Sequence, residues 1–150
     1  MIRVREFVVE DAPRCLELGE RFHRESRYRE YDFDRDKVLM LFAETTIEPD
    51  LLFLVSEDDS GIQGGLCLRA TEHYFGHDRV ARDLFLFVAP EKRGARHALA
   101  LVDAGARWAK ERGCKELVLS SSTGIESERV ARFFEKLGFE QTGSVYVRRL

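Results

Sequence analysis

Residues 93 to 98 read Arg93-Gly94-Ala95-Arg96-His97-Ala98 and follow an apolar run, Phe85 to Val88, that is ended by Pro90. A buried strand, a short basic turn and the start of a helix, in that order, aim unpaired backbone N–H groups at one point, at the positive end of a helix dipole. The chemistry this suits is phosphate binding. Gly94, Ala95 and Ala98 keep the backbone approachable, and Arg93 and Arg96 offer forked donors to phosphate oxygens. A plain strand-helix connection with solvated arginines uses the same residue types, so the turn needs company before it counts as a site.

Asp83 is the second candidate, the only acid between Val80 and Val88. Strict alternation gives it the parity of Phe85 and Phe87, opposite to Leu84, Leu86 and Val88. Apolar neighbours would raise its pKa toward that of a useful general base. The other reading is an ion pair with Arg79, Arg82 or Lys92. His73 and His77 flank a turn with Glu72 and Asp78, but no third ligand is suitably spaced, and no metal is expected. Ser120-Ser121-Ser122 lacks the Gly-x-Ser-x-Gly elbow of a nucleophile and is expected to cap the next helix or line a cleft.

These groups need elements to hold them. Ile2 to Val9 alternates as a strand, and Asp11-Ala12-Pro13 starts a helix with Cys15, Leu18 and Phe22 on one face. His23 to Asp34 breaks the apolar pattern with charges and two tyrosines, and reads as an exposed loop or frayed helix end. Asp34 caps a second helix carrying Val38, Leu41 and Phe42. Leu51 to Val55 and Ile62 to Ala70 form a hairpin around the turn Glu57 to Gly61, and Val80 to Val88 is the next strand. A helix over 96 to 112, ended by Gly113, leads into a buried strand at Leu117-Val118-Leu119. Thr123 to Glu126 has capping-box spacing before a helix with Val130, Phe133, Phe134 and Leu137, ended by Gly138. Phe139 and Val145-Tyr146-Val147 are edge-strand material.

The order β-α-α-β-β-β-α-β-α-β-β predicts a mixed α/β fold with a central sheet and helices on its faces. Its 150 residues are the size of one domain, and residues 1–150 are expected to form it. Net charge is 24 − 27 = −3, which gives bulk electrostatics no reason to favour nucleic acid. Cys15, Cys67 and Cys114, an odd number at wide spacing, form neither a disulfide framework nor a metal pair. There is no signal-peptide core and no apolar run long enough to span a bilayer, so a cytoplasmic location without membrane contact is expected.

Two blocks together carry a family resemblance. Val88-Ala89-Pro90-Glu91-Lys92-Arg93-Gly94-Ala95-Arg96-His97-Ala98 resembles the pattern Val-x-Pro-x-x-Arg-Gly-x-Gly-x-Gly/Ala of the GCN5-related N-acetyltransferases (GNAT). Ala131-Arg132-Phe133-Phe134-Glu135-Lys136-Leu137-Gly138-Phe139 is similar to that family's C-terminal block, Ala-x-x-x-Tyr-Glu-Lys-x-Gly-Phe. Ala81-Arg82-Asp83-Leu84 resembles the phage-like branch of small acetyltransferases. The resemblance implies a mixed, mostly antiparallel sheet of about six to seven strands flanked by about four helices. It also implies an N-acetyltransferase that moves an acetyl group from acetyl-coenzyme A (acetyl-CoA) to a primary amine in a ternary complex, without a metal.

Carried over by position, the strand ending at Val88 diverges from the strand 115 to 121. Backbone groups near Leu86 and Val88 would hold the pantetheine arm in the gap. The N–H groups of Arg93, Gly94, Ala95, Arg96, His97 and Ala98 would take the pyrophosphate, and Phe134 would lie beside the cofactor. Asp83 would accept the amine proton. Tyr28 and Tyr31, in the connection that walls the acceptor pocket in relatives, would receive a small-molecule or peptide amine. Two positions depart from the pattern. Arg96 replaces a glycine and either points outward or clamps a phosphate itself. Phe134 replaces the tyrosine that often protonates the departing thiolate, and it has no proton to give. That absence motivates the rival reading, a non-catalytic CoA-binding or interaction module. A homodimer through the C-terminal edge strand is a further expectation.

Overall fold

The computed structural model describes residues 1–150, built around a five-stranded sheet. The strands are β1 (Arg3–Glu6), β2 (Leu51–Asp58), β3 (Gly61–Glu72), β4 (Arg79–Val88) and β5 (Cys114–Val118), and they lie in sequence order across the sheet. Pairing is antiparallel from β1 to β4 and parallel between β4 and β5. Four helices flank it: α1 (Ala12–Glu25), α2 (Arg35–Glu44), α3 (Ala95–Glu111) and α4 (Ser127–Lys136). A parallel pair needs a crossover, and α3 supplies it.

Local chemistry sets the boundaries. Asp11 precedes α1, but its carboxylate is taken up by Arg5, at 2.7 and 3.0 Å, and by the Val8 N–H at 2.9 Å. Arg5 therefore holds the Asp11 carboxyl below its usual range while the bond ties β1 to the helix start. Asp34 caps α2 by accepting the Lys37 N–H at 3.0 Å. Gly113 and Gly138 follow α3 and α4 in the left-handed region expected after a helix end.

Each face of the sheet carries its own core. Phe7, Cys15, Leu18, Phe42, Phe53, Val55 and Phe87 pack between the sheet and the first two helices. Leu52, Leu54, Leu66, Leu68 and Leu101 pack under α3. A Cβ at Gly105 would meet Leu66 Cδ2 at 2.8 Å and Leu68 Cδ1 at 3.0 Å, so this helix-interior glycine lets α3 approach the sheet side chains closely. Cys15 and Cys67 are buried thiols, both pushed up to about 12 by burial.

The strand count is five rather than six to seven because the C-terminal segment forms none. Residues 139–150 have no regular structure, and Val145, Tyr146 and Val147 are exposed. A strand is stabilised by its neighbour, and this segment is held instead by Arg149, which bonds Glu30 at 2.9 Å. Strand β5 ends at Val118, and Leu117, Val118 and Leu119 are half-buried rather than buried.

Candidate active site

A gap opens in the sheet because β4 outlasts its parallel partner. Strand β4 pairs with β5 only from Arg79 to Arg82, whereas its pairing with β3 continues to Val88 opposite Gly64. From Asp83 to Val88 the outer edge of β4 has no strand beside it. A bulge marks the point of departure: Asp83 lies opposite Leu68, Phe85 lies opposite Cys67, and Leu84 is the extra residue. The bulge also overturns the parity read from simple alternation, since Asp83 and Phe85 face residues on opposite sides of β3.

The gap is a cavity of about 370 Å³. Its walls are Asp83 to Val88 on one side and Ser120 to Thr123 with α4 on the other, and its floor is the start of α3. Leu86, Val88, Arg93, Gly94, Ala95, Ala98, Phe134, Asp83 and Tyr28 all line it, so most of the expected site residues meet in one place.

Three do not. Arg96 is exposed and outside the lining, His97 is buried beneath the turn, and Tyr31 is 57% exposed and stacks on Tyr28 with ring centroids 5.9 Å apart. Of the two outcomes open for Arg96, the structure has it pointing outward.

The turn leaves backbone donors uncapped where it enters α3. After the tight turn Pro90–Lys92 the chain passes Gly94 in extended conformation and enters α3 with no side chain capping the helix. The first-turn N–H groups of an α-helix have no intrahelical acceptor, so those of residues 95 to 97 find none within α3, and the helix dipole lies behind them. Arg93 stands beside them, its guanidinium in a two-pronged pair with Glu25 at the end of α1.

Asp83 has no cationic partner. Arg79 pairs with Asp50 at 2.5 Å and Lys92 with Asp58 at 3.0 Å, and the ion-pair reading of Asp83 is therefore not realised. Instead its carboxylate accepts the Ser120 backbone N–H at 3.1 and 3.2 Å and the Ser120 hydroxyl at 3.3 Å. Burial pushes the Asp83 pKa up, and the Ser120 bonds oppose that without reversing it. The result is a carboxyl group on the cavity wall with a basicity above the ordinary carboxylate.

The mouth is stitched across by the connection between α1 and α2. Tyr28 Oη lies 2.8 Å from Ser122 Oγ, Arg27 Nε donates to the Ser122 carbonyl at 2.7 Å, and the Arg27 N–H donates to the Thr123 carbonyl at 2.8 Å. Ser120, Ser121 and Ser122 thus line the cleft rather than cap α4. The residue before α4 is Glu126, held at φ 43°.

Sequence reasoning missed the basic stripe of α4. Arg129, Arg132 and Lys136 all border the cavity. Their spacing on an amphipathic helix, beside Val130 and Phe133, was the signal to follow.

Residues 8–139 match the model of the Acetyltransferase (GNAT) family. The solved structure of AAC(6')-Iy, an aminoglycoside N-acetyltransferase, in complex with the bisubstrate analogue CoA-S-monomethyl-acetylneamine is similar at TM-score 0.82 and 20% identity, covering 100% of this chain and 98% of that one. A ribosomal-protein-alanine N-acetyltransferase from Brucella melitensis biovar Abortus 2308 is similar at TM-score 0.76 and 19% identity, over 100% and 99% of the two chains. Glucosamine-6-phosphate N-acetyltransferase from Arabidopsis thaliana is similar at TM-score 0.76 and 16% identity, over 99% and 98%. At these identities the likeness is one of fold. No curated protein matches the sequence.

Proposed function

The chain belongs to the Acetyltransferase (GNAT) family, and on that footing we propose that it moves an acetyl group from acetyl-CoA to a primary amine by direct attack in a ternary complex. The observation that supports this most is the cavity between the unpaired edge of β4 and α4, floored by the uncapped start of α3. A cleft lined by apolar residues, by the uncapped start of α3 and by arginines suits a cofactor whose arm is apolar and whose diphosphate is anionic.

Each residue then has a task. Backbone groups at Leu86 and Val88 hold the pantetheine arm, and the N–H groups of residues 95 to 97 with the Arg93 guanidinium hold the pyrophosphate. Arg93 exchanges Glu25 for phosphate oxygens when the cofactor enters. Phe134 packs against the arm, and Tyr28 borders the acceptor end.

The reaction needs a neutral amine, an oriented thioester and a stabilised carbonyl oxygen. The amine nitrogen attacks the carbonyl carbon, the C–N bond forms and the C–S bond breaks. Asp83 takes the proton that the amine loses, directly or through water. A backbone N–H on the edge of β4 stabilises the charge that develops on the carbonyl oxygen. Phe134 offers no proton, so the sulfur departs as the thiolate and is protonated from solvent. Initial-rate kinetics with both substrates varied tests the ternary complex: intersecting double-reciprocal lines support it, and parallel lines contradict it.

A second reading is a CoA-binding module without transfer, favoured by Phe134 in place of a tyrosine. It predicts that acetyl-CoA raises the melting temperature while no primary amine in a panel of aminoglycosides, amino sugars, polyamines and peptide N-termini releases free thiol.

A further inference from the structure

Behind the turn, and outside the cavity, lies a polar array that is buried at Ser56 and His97 and half-buried at Asp58 and Lys92. His97 is 4% exposed, and its Nδ1 lies 3.1 Å from Oγ of the fully buried Ser56. Its Nε2 lies 3.4 Å from Asp58 Oδ2, and the same oxygen receives Lys92 Nζ at 3.0 Å. The other carboxylate oxygen accepts the Ser60 N–H at 2.8 Å. Lys92 holds the Asp58 carboxyl down at about 2, so at neutral pH it can only accept hydrogen bonds. His97 Nε2 therefore faces that carboxylate as a donor.

Serine, histidine and aspartate in a chain match a hydrolytic triad in composition only. Ser56 has no exposed surface and no substrate can reach it. The array has another geometric property. Lys92 ends the tight turn before the anion site and His97 sits in the first turn of α3, so one carboxylate oxygen pins both ends of the segment 93 to 96. Of that segment Arg93, Gly94 and Ala95 line the cavity. Gly64 makes room for the array, since a Cβ there would meet Ser56 Oγ at 2.8 Å and the Phe87 carbonyl at 2.9 Å.

We propose that Asp58 is a positioning residue for cofactor binding, which fixes the pyrophosphate turn in its binding-ready shape by holding Lys92 and His97 together from β2. This rests on the acetyl-CoA reading above. Pre-organisation removes an ordering cost that a loose turn would meet on binding. Asp58 also neutralises Lys92, so that the turn's affinity for phosphate comes from its N–H groups and Arg93 rather than from the nearest lysine.

The test measures acetyl-CoA affinity by titration calorimetry for the native protein, Asp58→Asn, His97→Leu and His97→Gln, with melting temperatures alongside. Asp58→Asn and His97→Leu weaken binding about tenfold or more, and His97→Gln, which keeps a donor toward Asp58, restores most of the affinity. The rise appears in the KM for acetyl-CoA and not in the KM for the amine. Equal affinity in native protein and in folded Asp58→Asn overturns the positioning role while leaving the acetyl-CoA reading intact. Equal loss in His97→Leu and His97→Gln also overturns it. Failure of the native protein to bind acetyl-CoA overturns both.

Discussion

The Asp83 carboxylate bridges the gap where β4 and β5 part, accepting the backbone N–H of Ser120 at 3.1 and 3.2 Å. It joins β4 to the segment that follows β5, and it leaves a carboxyl with raised pKa on the cavity wall. Asp83→Asn keeps the shape and can still accept one bond from Ser120. Its expected effect is a loss of about a hundredfold or more in kcat, read by thiol release under saturating substrates.

The same group has a stability signature of the opposite sign. Its folded pKa lies above the unfolded one because burial disfavours the charged form, so the folded state binds its proton more tightly. It thus costs stability as pH rises from the ordinary carboxylate pKa through the raised one. Asp83→Asn is expected to melt at or above the native temperature at pH 7, with the difference closing in acid, by differential scanning calorimetry.

Arg93 and Arg96 separate cleanly in the structure, one lining the cavity and the other exposed outside it. Arg93→Ala is expected to weaken acetyl-CoA binding about ten- to a hundredfold, since it removes charge-assisted bonds to phosphate. Arg96→Ala is expected to change it by less than about threefold. Calorimetric titration of both variants distinguishes them.

The bond from Arg5 to Asp11 gives the acid limb of stability. Arg5 depresses the Asp11 pKa, so this pair contributes stability above the ordinary carboxylate pKa that is lost as pH falls through the depressed one. Asp11→Asn is expected to cost about 1 to 3 kcal/mol at pH 7, and the penalty is expected to vanish in strong acid. Urea titrations at both pH values check it.

Gly64→Ala is expected to destabilise the fold by about 1 to 3 kcal/mol, because the new Cβ presses on a backbone carbonyl, that of Phe87, as well as on Ser56. Its melting temperature falls even if the cofactor is bound.

Much of the site was legible in the residues. The proline-ended run into Gly94-Ala95 announced the turn, and Leu86, Val88, Arg93 and Phe134, named from the sequence, line one cavity beside it. The errors came from features that periodicity does not encode. A one-residue bulge at Leu84 reversed the facing of Asp83, and no local pattern shows where a bulge falls. His97 read as a donor at the turn but is drawn inward by Ser56 and Asp58, some forty residues away in the chain. The strand expected at Val145 to Val147 depended on a partner that this chain does not place beside it.

Acetyl transfer is measured most directly as amine-dependent release of free CoA thiol from acetyl-CoA, with acetylated product followed by mass spectrometry. Direct attack assisted by Asp83 predicts release that saturates in both substrates, a product heavier by one acetyl group on nitrogen, and loss of the signal in Asp83→Asn. Cofactor binding with no release for any amine in the panel, or release that proceeds through an acetylated protein in the absence of amine, would contradict it.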